Sequence, residues 1–150
     1  MAGWPVELRG ITESVATTRG PDGDWAVAAL GLHAGEPVTA RTWGNTRTRR
    51  NLEREGGGHV QFTQDPVTFV EAALAARSVE EPVLPDADAW ARVEAERVDA
   101  GTAGGTAWVD WALVPVEARV ERETVPTVNR GHNAVVEATV AASRLGVQIG

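Results

Sequence analysis

The stretch Trp90-Ala-Arg-Val-Glu-Ala-Glu-Arg-Val-Asp99 decides the fold. Its Ala, Glu and Arg content favours a helix, yet Ala91, Val93 and Ala95 alternate with Arg92, Glu94 and Glu96, the two-residue period of a half-buried strand. The residues beyond it tip the reading to strand. Gly101-Thr-Ala-Gly-Gly105 is a turn and residues 108–120 are rich in Val and Trp, so the two arms make a hairpin. Pro115 has no amide hydrogen for a ladder, which places it at a bulge or an edge of that hairpin.

Working outward, the N-terminal third repeats the pattern. From Glu7 to Thr18 the β-branched residues around Leu8, Ile11 and Val15 suit a strand, and Arg19-Gly-Pro-Asp-Gly-Asp24 is dense in turn formers. The next arm, Trp25-Ala-Val-Ala-Ala-Leu-Gly-Leu-His33, is almost wholly apolar, as expected of a strand buried on both faces. A turn at 34–37 leads into a third strand, Val38-Thr-Ala-Arg-Thr-Trp43. A short helix is expected over 46–55, closed by Gly56-Gly-Gly58, then a strand at 59–63. Asp65 as N-cap and Pro66 at the first helical position open an amphipathic helix over 67–77. Residues 78–88, with two prolines and four acidic residues, read as a loop. The last helix spans 132–145, with Val136, Val140 and Ser143 on one face and Gly146 stopping it. About six strands joined by hairpins, with three helices, predict a partly closed antiparallel barrel with helices packed outside, in a single domain of 150 residues.

Composition removes whole chemistries. The chain has no cysteine, so disulfides, thiolate metal sites and Cys nucleophiles are excluded. All 14 basic residues are arginine, which excludes Schiff-base and P-loop lysine chemistry. A net charge of -7 argues against a general grip on nucleic acid or anionic membrane. No window is long and apolar enough for a membrane helix and the N-terminus lacks a secretory pattern, so a cytoplasmic protein is expected. Absent lysine with an acidic balance fits either halophilic adaptation or codon bias. His33, His59 and His132 have no paired metal spacing, so no metal site is expected. Ser14, Ser78 and Ser143 lack a nucleophile-elbow context. Glu7, Glu13 and Glu137 could share a site, although carboxylates on element edges are usually solvated.

The window Arg41-Thr-Trp-Gly-Asn-Thr-Arg-Thr-Arg-Arg-Asn-Leu52 carries the chemistry. Here a strand passes through a Gly-Asn turn into a helix start, where unpaired amides and the helix dipole attract anions. Thr46 and Thr48 add hydroxyls, Asn45 an amide, and Arg41, Arg47, Arg49 and Arg50 forks for phosphate oxygens. The alternative is an N-capped helix whose arginine face pairs with Glu53 and Glu55.

The order strand, polar turn, Thr48-Arg-Arg-Asn51-Leu52, glycine turn, Val60-Gln-Phe strand resembles the Thr-x-x-Asn-Leu segment of flavin-reductase-like FMN-binding split barrels. Residues 25–33 resemble the strand on which that superfamily lays its flavin. Thr-Glu-Ser-Val near the N-terminus, the Arg-Thr-Trp window, Asn129-Arg-Gly-His-Asn-Ala-Val-Val-Glu137 and Ser143-Arg144-Leu145 are similar to an uncharacterised archaeal, haloarchaeal-type branch, a domain of unknown function. The resemblance implies a split antiparallel β-barrel with three outer helices, and a homodimer with FMN near each interface. By position, Arg41, Asn45, Thr46 and Thr48 would hold the phosphate, while backbone groups of Gly31, Leu32 and His33 would line the ring. Asn51 would either bind or brace the loop, and Asn129 and Arg130 would reach a phosphate, from the other subunit in one version. The arginine excess leaves a larger flavin open.

Three functions are compatible with these features. The first is a flavin-dependent oxidoreductase or flavin reductase with NAD(P)H as a candidate donor and no nameable catalytic side chain, the flavin itself carrying the reactivity. The second is a non-catalytic flavin or phospho-ligand carrier or sensor. The third is RNA binding through residues 41–54, disfavoured by the acidic charge and the lack of an aromatic RNA motif. The six tryptophans are expected in the core and at dimer contacts, with Trp43 placed to flank the ring.

Overall fold

The computed structural model describes residues 2–125, 127 and 129–149, with side chains described up to residue 143. Strands β1 (Ile11–Arg19) and β2 (Trp25–His33) form the first hairpin, paired from Ile11↔His33 to Arg19↔Trp25. β3 (Val38–Trp43) leads to α1 (Arg47–Glu55), β4 (Gly57–Phe62) and α2 (Pro66–Leu74). A short β5 (Arg77–Val79) precedes the long hairpin of β6 (Ala89–Ala103) and β7 (Thr106–Val120), and α3 (Arg130–Ile149) ends the chain. Strand order β1-β4-β6-β7-β3-β2-β5, with β1 also paired to β2, closes six antiparallel strands into a barrel.

The barrel is filled by the inward set of each strand: Leu30 and Leu32 from β2, Val38 and Ala40 from β3, Val60, Ala91 and Val93, then Val109, Trp111 and Leu113. Leu52 of α1 joins this cluster from one end. The opposite face of β1 and β2 buries Val15 and Val27 under Ala72 of α2 and Leu84. The apolar composition of β2 thus reflects two separate cores on its two faces. Buried Gln61 fastens the segment across that second core, donating to Thr17 Oγ1 and the Pro82 carbonyl and accepting from the Leu84 amide.

Boundaries moved where tertiary demands outweighed local preference. β1 begins at Ile11 rather than Glu7, after Gly10 at φ 53. Gly57 and Gly58 belong to β4, not to a turn, because a Cβ at either would collide with the Val93 or Thr17 carbonyl oxygen across the sheet. α2 stops at Leu74, three residues short of Arg77, since residues 77–79 are drawn out to pair with β2. The β6–β7 turn narrows to Gly104-Gly105, both at positive φ, which lengthens both arms. Pro115 sits beside the register shift at Arg92/Val93, beyond the last β3 partner at Leu113, so both expectations for it hold. α3 starts two residues early and continues through Gly146 to Ile149.

The barrel is not uniformly zipped. β2 pairs with β1 along all nine residues, but its other edge meets β5 only at Trp25, Ala26 and Val27 and β3 only at His33. Between these, residues 28–32 have no sheet partner on that side. This opening is the split.

Candidate functional site

The split is bordered by β3, β5 and the start of α1. Thr46 caps α1, its hydroxyl accepting from the Arg49 amide at 3.2 Å, and Arg50 N donates to the Thr46 carbonyl. The amides of Arg47 and Thr48, the first two of the helix, therefore have no intrahelical acceptor. Thr48 is buried, yet its hydroxyl has no hydrogen-bond partner among the described residues and is not sealed from solvent. Arg47 ties this helix start to β5, donating to Ser78 Oγ at 2.8 Å and the Arg77 carbonyl at 3.0 Å.

The arginines take a different place from the one their density suggested. Arg41 is forked onto Asp110, Nε to Oδ1 at 2.7 Å and Nη2 to Oδ2 at 3.0 Å, and its guanidinium lies 3.9 Å from the Trp108 ring centroid and 5.6 Å from that of Trp43. The hydrogen bonds from Arg41 hold the Asp110 carboxyl below the usual carboxylate range; partial burial opposes them, and the charges of Arg41 and His33 add to them. Arg49 pairs with Glu53 at 3.2 Å, and Arg50 donates to the Asn45 carbonyl at 2.6 Å. Of these four arginines only Arg49 pairs as the arginine-face alternative expects, with Arg41, Arg47 and Arg50 engaged elsewhere than at Glu53 and Glu55.

Asn51 acts as a brace. Its Nδ2 donates to the carbonyl and hydroxyl of Thr18 at 3.2 and 3.1 Å, and its Oδ1 accepts from Arg54 at 2.9 Å. That uses the buried amide on the protein itself and fixes α1 to β1. On β2, Leu32 is fully buried in the barrel, so only backbone at 31–33 faces the split, while His33 is exposed at its end. Asn45 and Thr46 are exposed beside Thr48. Arg130 stands apart, exposed in the first turn of α3, which is capped by Asn129 Oδ1 accepting from His132 N and packs on α2.

Two groupings join residues remote in sequence, and of these only the Glu13–Glu137 pair has a counterpart in the sequence reading. Asp110, the partner of Arg41, is one. The other is a cleft of about 480 Å³ between β1, α2 and α3 that brings Glu13, His132 and Glu137 together. Among the described residues no group of three or more His, Asp or Glu could hold a metal ion, and no helix is long and apolar enough to cross a membrane.

A six-stranded antiparallel barrel opened beside a helix start defines the split-barrel class to which flavin reductases belong. Its architecture matches the styrene monooxygenase flavin reductase from Pseudomonas putida (TM-score 0.53, 13% identity, 78% of this chain and 93% of that one). It also matches flavoredoxin from Methanosarcina acetivorans (0.53, 9%, 81% and 77%). These identities show the fold alone. The chain belongs to the family described as protein of unknown function (DUF447), N-terminal domain, matched over residues 12–122. An FMN-bound DUF447 protein from Methanosarcina mazei is similar at 27% identity and TM-score 0.76, over 95% of this chain and 79% of that one. No curated protein matches the chain in sequence.

Proposed function

We propose that this chain is an FMN-binding flavoprotein whose flavin lies in the split, phosphate at the start of α1 and ring along the open edge of β2. The observation that carries the reading is the similarity over 95% of the chain to a family member that is FMN-bound. The residues present fit the group. Unpaired amides of Arg47 and Thr48, the free Thr48 hydroxyl and the proton of the Thr46 hydroxyl supply convergent donors for an oxyanion, and Asn45 adjoins them. Arg41, with its fork on Asp110, keeps Nη1 for the ligand and serves as a fixed positive charge beside His33 and Trp43. Gly31, Leu32 and His33 offer backbone groups, and Asn51 holds the helix in register with β1.

When bound, flavin supplies hydride transfer, which is why an oxidoreductase is the preferred activity and NAD(P)H the preferred donor. The protein's part is position and electrostatics: α1 fixes the phosphate, β2 supports the ring, and α2 with the 80–88 segment keeps water from the reverse face of β2. We assign a homodimer in which the exposed Arg130 of one subunit reaches the flavin of the other.

Adding FMN to purified protein tests binding: quenched flavin fluorescence with a one-to-one endpoint supports it, and unchanged fluorescence opposes it. Bleaching of the bound flavin by NAD(P)H without oxygen supports the oxidoreductase. A bound flavin that resists bleaching favours a carrier or sensor.

A further inference from the structure

A second cleft of about 700 Å³ lies on the outer face of β4, β6 and β7, at the C-terminal end of α1 and so about 13 Å from the helix start that the flavin reading uses. Arg19 and Arg92 line it, and neither guanidinium makes a hydrogen bond or ion pair among the described residues. Every other arginine with a described side chain, except Arg130, donates to a carboxylate, hydroxyl, amide or carbonyl oxygen. In an acidic protein, two uncompensated cations at one concavity create a local positive potential suited to an anion.

The wall beside them is aromatic. Trp25 and His59 meet edge to face with centroids 5.2 Å apart, and Trp90 tilts against the other side of the imidazole at 5.7 Å. Nδ1 of His59 is shut away from solvent with no hydrogen-bond partner, an uncompensated polar atom. Burial, then the charge of Arg92, push the imidazole below its usual range against the pull of Glu117, so at neutral pH the ring is uncharged and behaves as an aromatic surface. Gly57 and Gly58 floor the cleft with backbone, drawn close to Val93 and Thr17 of the neighbouring strands. Glu94 and Glu96 also line it, about 7 and 14 Å along β6 from Arg92 by strand rise, with Glu94 level with Arg19 across Gly57 and Glu117 opposite Arg92 on β7, while Glu55 is paired with Arg54. Two guanidinium groups placed diagonally across β4 can share one anionic group between them, and the neighbouring carboxylates repel a second.

We propose that this cleft binds a small aromatic monocarboxylate, its carboxylate held by Arg19 and Arg92 and its ring against Trp25 and His59. Charge-assisted bonds to two guanidinium groups give direction, and the indole and imidazole give the apolar contact. The site is separate from the flavin groove, so it is occupied with or without FMN.

Benzoate is the probe, followed by NMR of the His59 ring protons and the Trp25 indole proton in flavin-free protein. Benzoate is expected to shift both and to saturate in the millimolar range. Benzamide, which lacks the charge, and acetate, which lacks the ring, should each bind at least 10-fold more weakly. Arg19→Gln and Arg92→Gln should each weaken benzoate about 10-fold while leaving the fold and the FMN titration unchanged. Shifts that are absent at about 50 mM benzoate, equal for benzamide, or unchanged in both variants overturn the proposal. Because FMN binding is measured separately, failure here leaves the flavin reading standing, and the reverse holds.

Discussion

The arginines of the Arg41–Arg54 stretch and those of the Arg19–Arg92 cleft carry one chemical group in two opposite conditions. In the first, forks close on Asp110, Glu53, Ser78 and backbone carbonyls, so the charge organises the protein. In the second, isolated along the sequence, two guanidinium groups share a cleft with Trp25 and His59 and make no hydrogen bond or ion pair among the described residues. Density of charge along a sequence therefore says little about which charges a ligand will find. The α1 start offers a ligand what remains after the arginines are engaged, namely amides and hydroxyls.

The largest expected effect that sharpens this contrast is Asn51→Ala. Removing a buried amide that bridges Thr18 and Arg54 leaves donors and acceptors unsatisfied, and should lower stability by about 2–3 kcal/mol in denaturant unfolding. A loss below about 0.5 kcal/mol would contradict its bracing role. Next comes Thr48→Val, which keeps the shape and removes the hydroxyl. FMN affinity should fall about 10-fold, the equivalent of about 1.4 kcal/mol, with stability unchanged. Arg41→Ala should show the inverse pattern, a stability loss of about 1 kcal/mol for a partly exposed fork stacked on Trp108, and a smaller effect on FMN than Thr48→Val. If Arg41→Ala weakens FMN more than Thr48→Val does, the ranking of hydroxyl over guanidinium is wrong.

The smallest effect concerns pH. His59 is held below its unfolded value of about 6.5, so the unfolded chain binds the extra proton first. Stability should decline as pH falls from that unfolded value through the lower folded one, and level off beneath it. His59→Phe should flatten this part of the profile in urea unfolding at a series of pH values; an unaltered slope would assign it to other groups.

What was legible in the sequence was local. Turn formers at 19–24 and Gly104-Gly105, and the alternation along residues 90–99, announced the hairpins because each depends on neighbouring residues. Asp65-Pro66 as a helix start was readable for the same reason. β5 was not, since three residues become a strand only where the open edge of β2 receives them. Nor was the clamp of Arg41 by Asp110, 69 residues away, or the place of His132 beside Glu13 and Glu137. Helix α2 ended early because Arg77 was needed in β5, although its neighbours Ala75 and Ala76 favour helix.

The most direct test of the central claim is a backbone amide map of the protein titrated with FMN and, separately, with riboflavin. The account predicts that FMN binds at least about 10-fold more tightly. It further predicts that the Arg47 and Thr48 amides move with FMN alone, while residues 28–33 move with both. Equal affinity for the two flavins, or amide shifts that bypass the start of α1, would contradict it.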